Sequence, residues 1–164
     1  MKTVNLNIKI TEFSSVEELN KTYRKLVDSA KKATLSSYSP YSNFKVGAAV
    51  LLDNEEIVCG SNQENAAYPS GLCAERVALF YANSKFPENK VLAIAISASS
   101  GQSFTKSPLP PCGSCRQVIL ETENRFQHPV QVILYGEDKI ILFENANSLL
   151  PISFSEDFLK AART

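Results

Sequence analysis

The order of hydrophobic patterns predicts an α/β fold, a three-layer α/β/α sandwich around a mixed five-stranded sheet, in a single domain over residues 1–164. Three observations carry this prediction. An amphipathic helical stripe precedes two strand-like runs joined by a short polar turn. Further aliphatic runs then alternate with helical segments, the pattern of crossover connections. The composition, 44% hydrophobic and 21% charged, is that of a chain that folds around a core. With 17 basic and 17 acidic residues the formal net charge is zero, so no overall field draws the chain to polyanions. No apolar run approaches the roughly 18–20 residues of a membrane-spanning helix.

The elements follow in order. Residues 1–10 alternate polar and apolar side chains (Val4, Leu6, Ile8, Ile10), so residues 1–13 form an extension expected to add an edge strand. That alternation is unlike the apolar block of a secretion signal. Ser14 and Ser15 each stand three residues before a glutamate, Glu17 or Glu18, a capping-box spacing that predicts a helix start. Val16, Leu19, Tyr23, Leu26, Val27, Ala30 and Ala33 supply its stripe, and the helix ends before Pro40. Residues 44–52 and 57–61 predict a hairpin about the turn Asp53-Asn54-Glu55-Glu56. A polar loop leads to a helix from about Cys73, whose Val77, Ala78, Leu79, Phe80 and Tyr81 predict burial nearly all round. Residues 91–97 predict a strand covered on both faces. Pro110-Pro111 announces a further helix, on which Cys112, Cys115, Ile119 and Thr122 share a face. Two strands, 130–135 and 139–143, and a short C-terminal helix complete the chain. Neither a repeat nor a linker composition divides it.

The cysteines carry the chemistry. A chain of this length builds a core without disulfide staples, and Pro111-Cys112-Gly113-Ser114-Cys115 is a frame suited to a metal, which favours a reducing, cytoplasmic home. Cys73 and Cys112 each open a predicted helix, where unpaired amides and the helix dipole stabilise a thiolate. Three soft ligands favour Zn²⁺, and a fourth position left to water would make the site catalytic; a closed structural site completed by a distant side chain is the alternative. Three thiolates leave the ion's surroundings net negative, so Arg76 and Arg116 are the side chains expected to compensate. Glu75, two residues after Cys73, is placed to act as acid and base, although in isolation it is an ordinary helix-start carboxylate. Cys59, inside a strand, is expected to be a buried hydrophobe, and His128, before Pro129, a loop residue and not a ligand.

Three segments together resemble the small homotetrameric, zinc-dependent cytidine deaminases: Asn62-Gln63-Glu64-Asn65-Ala66-Ala67-Tyr68-Pro69, Cys73-Ala74-Glu75-Arg76, and Pro111-Cys112-Gly113-Ser114-Cys115-Arg116-Gln117-Val118. The resemblance runs from about Ser39 to Phe154. It implies hydrolytic deamination of cytidine and deoxycytidine to uridine and deoxyuridine, with release of ammonia, in pyrimidine salvage. It implies Zn²⁺ on Cys73, Cys112 and Cys115, with Glu75 carrying protons between the water, N3 of the base and the departing ammonia. The backbone N–H of Ala74 would hold the base carbonyl, Asn62 and Glu64 the ribose hydroxyls, and Phe44 would stack on the pyrimidine. Phe154 would cross into a neighbouring subunit's site, making assembly part of catalysis. Lys45 stands where the family often has proline. Among rivals, a blasticidin-type deaminase is disfavoured by Asn62-Gln63-Glu64-Asn65. A polynucleotide editor is disfavoured by zero net charge and the lack of tryptophan. A non-catalytic zinc-stabilised interaction protein predicts metal without activity.

Overall fold

Along the chain, β1 (Thr11–Phe13) and α1 (Lys21–Ala33) precede the hairpin of β2 (Phe44–Leu52) and β3 (Ile57–Ser61). Then come α2 (Ala74–Lys85), β4 (Val91–Ser100), β5 (Ser103–Phe104), α3 (Gly113–Phe126), β6 (Gln131–Tyr135), β7 (Ile140–Phe143) and α4 (Glu156–Ala161). The computed structural model describes residues 1–161. The sheet order is β1-β7-β6-β4-β2-β3, with β5 folded back on β4. Only β4 and β6 pair in parallel; the remaining pairs are antiparallel. The five strands predicted from sequence form the continuous run β7-β6-β4-β2-β3, and β1 at its far edge and β5 bring the sheet to seven. β5 arises because Gly101, at φ 67°, reverses the chain at the end of β4, a left-handed turn that glycine adopts without a Cβ clash.

Successive side chains of a strand face opposite layers, and here both layers are occupied. Ala48, Val50, Ile94, Ile96, Val132 and Leu134 pack with Ala74, Ala78 and Leu79 of α2 and with Ile119 of α3. The intervening Ala49, Leu51, Ala93, Ala95 and Ile133 pack with Leu26, Val27 and Ala30 of α1. This two-sided burial explains why the central strands are continuous apolar runs in the sequence.

Three local expectations are corrected. Residues 1–10 are exposed and form no regular structure; only Thr11–Phe13 pairs with β7. With Thr11 opposite Leu142, the strand β7 offers a single further residue, Phe143, before it ends. The first long helix is capped by Asn20, whose Oδ1 accepts the Tyr23 amide at 2.8 Å, rather than by Ser14 or Ser15. A 3₁₀ turn at Val16–Glu18 comes first and drives Leu19 into the core at 2% exposure. Finally, α2 is not buried all round: Phe80 and Tyr81 are 48% and 54% exposed, while Ala78 and Leu79 are fully buried. Among the described residues no helix is long and apolar enough to cross a membrane.

The topology decides where chemistry can occur. β2 runs opposite to both β3 and β4, so β3, β4 and β6 point the same way. α2 follows β3, and α3 follows β4 by way of the short return strand β5; Cys73 and Cys112, at the two helix starts, meet at 3.9 Å beyond the carboxyl ends of these strands. α2 lies close against β3: a Cβ built on Gly60 would stand 2.5 Å from the Ala78 amide nitrogen and 2.7 Å from the Ala74 carbonyl oxygen. Gly60→Val is therefore expected to force α2 outward and lower stability by about 1–3 kcal/mol. Gly113→Ala, where an added Cβ meets nothing within 4 Å, should cost nothing; urea midpoints of the two variants compare them directly.

Candidate active site and metal centre

Cys73 is the N-cap of α2, Cys112 the N-cap of α3, and Cys115 lies in the first turn of α3. Their ligand atoms lie within 4.8 Å of one another. Cys73 Sγ and Cys112 Sγ are 3.9 Å apart, and Cys112 Sγ and Cys115 Sγ 3.5 Å. Two tetrahedral thiolates about 2.3 Å from zinc would stand roughly 3.8 Å apart, whereas a disulfide requires about 2.05 Å. The three sulfurs thus fit a zinc ion and not a disulfide. Among the described residues no fourth His, Cys, Asp or Glu joins the group.

Electrostatics prepares the cluster for a cation. The Cys73 thiol is lowered to about 5, chiefly by a hydrogen bond from Cys115 acting against burial, with the Arg76 guanidinium adding to the effect. Arg76 Nη2 lies 3.7 Å from Cys73 Sγ, as expected of a compensating charge. Cys115, fully buried, is pushed up because its thiol donates to Cys73 and its charged form is desolvated. Arg116 corrects the expectation placed on it. Its Nε donates to the Pro111 carbonyl at 2.9 Å and its Nη1 to the Leu149 carbonyl at 3.1 Å, so it anchors the ligand loop by its backbone rather than facing the sulfurs.

Glu75, the second residue of α2, is only 4% exposed. Burial, the largest influence, raises its carboxyl above the usual range, and the neighbouring Cys73 charge adds to the rise. Ala74 begins α2, so its amide is among those with no acceptor inside the helix. These residues line a cleft of about 230 Å³ with Val46, Asn62, Cys73, Leu109, Pro110 and Cys112. A larger cleft of about 580 Å³ adjoins it, sharing Asn62 and Cys73 and containing Tyr41, Ser42, Glu64, Tyr68 and Arg76.

Asn62 and Glu64 are already heavily bonded. Asn62 Oδ1 accepts from the Val46 amide at 2.8 Å and the Ser37 hydroxyl at 2.5 Å, while Nδ2 donates to the Phe44 carbonyl at 2.9 Å. Glu64 Oε2 accepts from the amides of Tyr41 and Ser42 at 2.9 and 3.3 Å, and Oε1 from the Ser42 hydroxyl. These bonds, the Ser42 hydroxyl first, hold the Glu64 carboxyl below its usual range. An amide carries two N–H donors and a carboxylate about four acceptor positions. One N–H of Asn62 and one position on Glu64 Oε1 therefore remain.

Phe44 and Phe154 line neither cleft. Phe44 is half-buried at the first position of β2, two residues before Val46 and so on the same face of the strand. Phe154 is 59% exposed and stacked on Phe158 at 5.9 Å between ring centroids. Lys45 is exposed opposite Ser99. Cys59 lies apart from the metal cluster, and His128 is not in it; Cys59 is exposed on β3 rather than buried as expected. Sequence reasoning gave no role to Ser37, Ser42, Val46, Leu109 or Pro110. The period of two after Phe44 signals Val46, and the contiguity of Leu109 and Pro110 with Pro111-Cys112 signals the opposite wall.

A three-thiolate cluster beside a buried carboxylate, on an α/β/α sandwich, is the arrangement of a zinc hydrolase. Residues 20–128 match the cytidine and deoxycytidylate deaminase zinc-binding region. The chain is similar to the cytidine deaminase of Sporosarcina psychrophila, 40% identical over 139 residues that cover 84% of this chain and 95% of that protein. A crystal structure of cytidine deaminase from Burkholderia pseudomallei superposes with a TM-score of 0.69 at 37% identity, covering 80% of this chain and 98% of that one. The corresponding structure from Mycobacterium tuberculosis gives 0.64 at 32% identity, covering 81% and 97%. The chain belongs to the cytidine and deoxycytidylate deaminase family, and Zn²⁺ is its cofactor.

In zinc-stripped protein, iodoacetamide is expected to label Cys73 at pH 6, above its value of about 5, and Cys59, an exposed residue whose sulfur is partly covered and so pushed up by desolvation, only at more alkaline pH. Peptide mass spectrometry across a pH series reads both sites, and labelling of Cys59 before Cys73 would contradict the electrostatic account.

Proposed function

We propose that this chain catalyses the hydrolytic deamination of cytidine and deoxycytidine, in which water replaces the amino group at C4 to give uridine or deoxyuridine and ammonia. The observation that carries the proposal is the pairing of the three-sulfur cluster with Glu75, a buried carboxyl with raised proton affinity in the same small cleft. Zn²⁺, held by Cys73, Cys112 and Cys115, supplies the Lewis acidity that makes water nucleophilic near neutral pH. Glu75 takes a proton from the attacking water and delivers it to N3 of the base, then takes the proton left on the new C4 hydroxyl and delivers it to the amino nitrogen, which leaves as ammonia while the C4 carbonyl forms. A carboxyl with elevated proton affinity both accepts and returns a proton, as this sequence requires. Arg76 offsets the negative charge of the sulfurs from 3.7 Å.

The remaining groups position the substrate. The Ala74 amide binds the base carbonyl at the helix start, and Val46, Leu109 and Pro110 provide walls that exclude water from the ring. The larger cleft takes the sugar, with Asn62 and Glu64 as its polar contacts. Their one free N–H and one free acceptor position match a single hydroxyl, which both donates and accepts. A site of this kind accepts ribose and deoxyribose provided that the hydroxyl it binds is common to both. Phe44 stacks on the pyrimidine from the same face of β2 as Val46.

The working unit in this reading is a homotetramer in the cytoplasm, serving pyrimidine salvage on a free nucleoside rather than a polynucleotide or a membrane. Tyr41 and Tyr68 leave the rim of the larger cleft 53% and 80% exposed, and Ile152 and Phe154 are 85% and 59% exposed, a supply of apolar surface for contacts between copies. Phe154 then reaches a neighbour's cleft. Glu75→Gln tests the central assignment: it should keep the fold and zinc content while kcat falls by about 10²–10⁴. Cytidine turnover near the wild-type rate in that variant would remove Glu75 from the mechanism.

A further inference from the structure

We infer that Ser42 is a positioning residue that sets sugar selectivity by aiming the one free acceptor position of Glu64; the inference rests on the reading of Glu64 as a sugar ligand. The chain turns sharply just before β2. The Asn43 amide donates to the Ser39 carbonyl at 3.0 Å, and Asn43 takes φ 54°, a left-handed conformation that asparagine tolerates better than most residues. This turn directs the amides of Tyr41 and Ser42 together onto Glu64 Oε2.

The Ser42 hydroxyl occupies Oε1, and its own rotation is settled by a second bond. The Phe44 amide donates to Ser42 Oγ at 3.0 Å, so a lone pair of Oγ faces Phe44 and the single proton goes to the carboxylate. The relay thus has one direction, from the Phe44 amide through the Ser42 hydroxyl to Glu64. Its start is the residue whose carbonyl accepts from Asn62 Nδ2. The last donor on Asn62 and the last acceptor on Glu64 are therefore oriented from the same residue at the mouth of β2.

Without the Ser42 hydroxyl, Glu64 keeps its two amide donors on Oε2 but Oε1 is no longer held. The orientation of the carboxylate then rests on Oε2 alone, and water takes the vacated position on Oε1, where it competes with the sugar hydroxyl. The consequence falls on binding of the sugar hydroxyl and not on the proton transfers at the base.

The test is steady-state kinetics of zinc-loaded wild type, Ser42→Ala and Ser42→Thr with cytidine, 3′-deoxycytidine and 5′-deoxycytidine. Wild type should discriminate against the analogue that lacks the bound hydroxyl. Ser42→Ala is expected to raise KM for cytidine about tenfold, the scale of one charge-assisted hydrogen bond, with a far smaller change in kcat. Its discrimination against that one analogue should shrink by the same factor, and its discrimination against the other should not. Ser42→Thr, which keeps the hydroxyl, should restore the wild-type pattern. Wild-type discrimination that persists undiminished in Ser42→Ala overturns the role of Ser42 alone. A wild type that discriminates against neither analogue overturns the reading of Glu64 as a sugar ligand, and this inference with it.

Discussion

Three sulfur atoms drawn within 4.8 Å of one another by two helix starts are the constraint on which the rest of this structure depends. Such a cluster cannot carry three negative charges unaided. Their proximity sets one ionisation against another: the Cys73 thiol is lowered and the buried Cys115 thiol is pushed up. A divalent ion removes that conflict. The sheet makes the convergence possible: β3 and β4 share a direction, so the helices that follow them begin at one end of the molecule. Gly60 and the fully buried Ala74 and Ala78 let α2 lie close against the sheet, which sets the depth of Cys73 and Glu75.

Two glutamates show how environment divides labour in the site. Glu75 is buried in a small, largely apolar cleft, and its proton affinity rises. Glu64 lies in the larger cleft under a hydroxyl and two amides, and its proton affinity falls. The first is suited to carry protons and the second to remain a fixed anion. Asn62 lies on the boundary between the clefts, tied by three hydrogen bonds to its own chain. Near-saturation of these two groups leaves one N–H on Asn62 and one acceptor position on Glu64 Oε1.

The hairpin 44–61 was legible in the sequence because its apolar runs end in an unambiguous polar turn, and both its strands lie where the pattern put them. The metal cluster was legible because helix-start cysteines at Cys73, Cys112 and Cys115 have a local signature. Other features depend on contacts that no local pattern encodes. The start of α1 moved to Asn20 because a 3₁₀ turn was needed to bury Leu19. Phe80 and Tyr81 read as core, but periodicity does not distinguish a surface that faces the sheet from one that faces away from it. Arg116 adjoins Cys115 in sequence, yet carbonyls at Pro111 and Leu149 claim its guanidinium. The bonds to Ser37 and Ser42 join residues 25 and 22 positions apart, beyond the reach of spacing arguments.

The proposed enzyme is a three-cysteine zinc site with an open position, served by Glu75, acting on pyrimidine nucleosides. Titration of zinc into metal-free protein, with bound metal per subunit and loss of cytidine ultraviolet absorbance followed on the same samples, tests it most directly. Turnover should rise in proportion to zinc and level off at one ion per subunit. Protein carrying its full zinc complement that leaves cytidine unchanged, or that turns it over equally well without metal, would contradict this assignment.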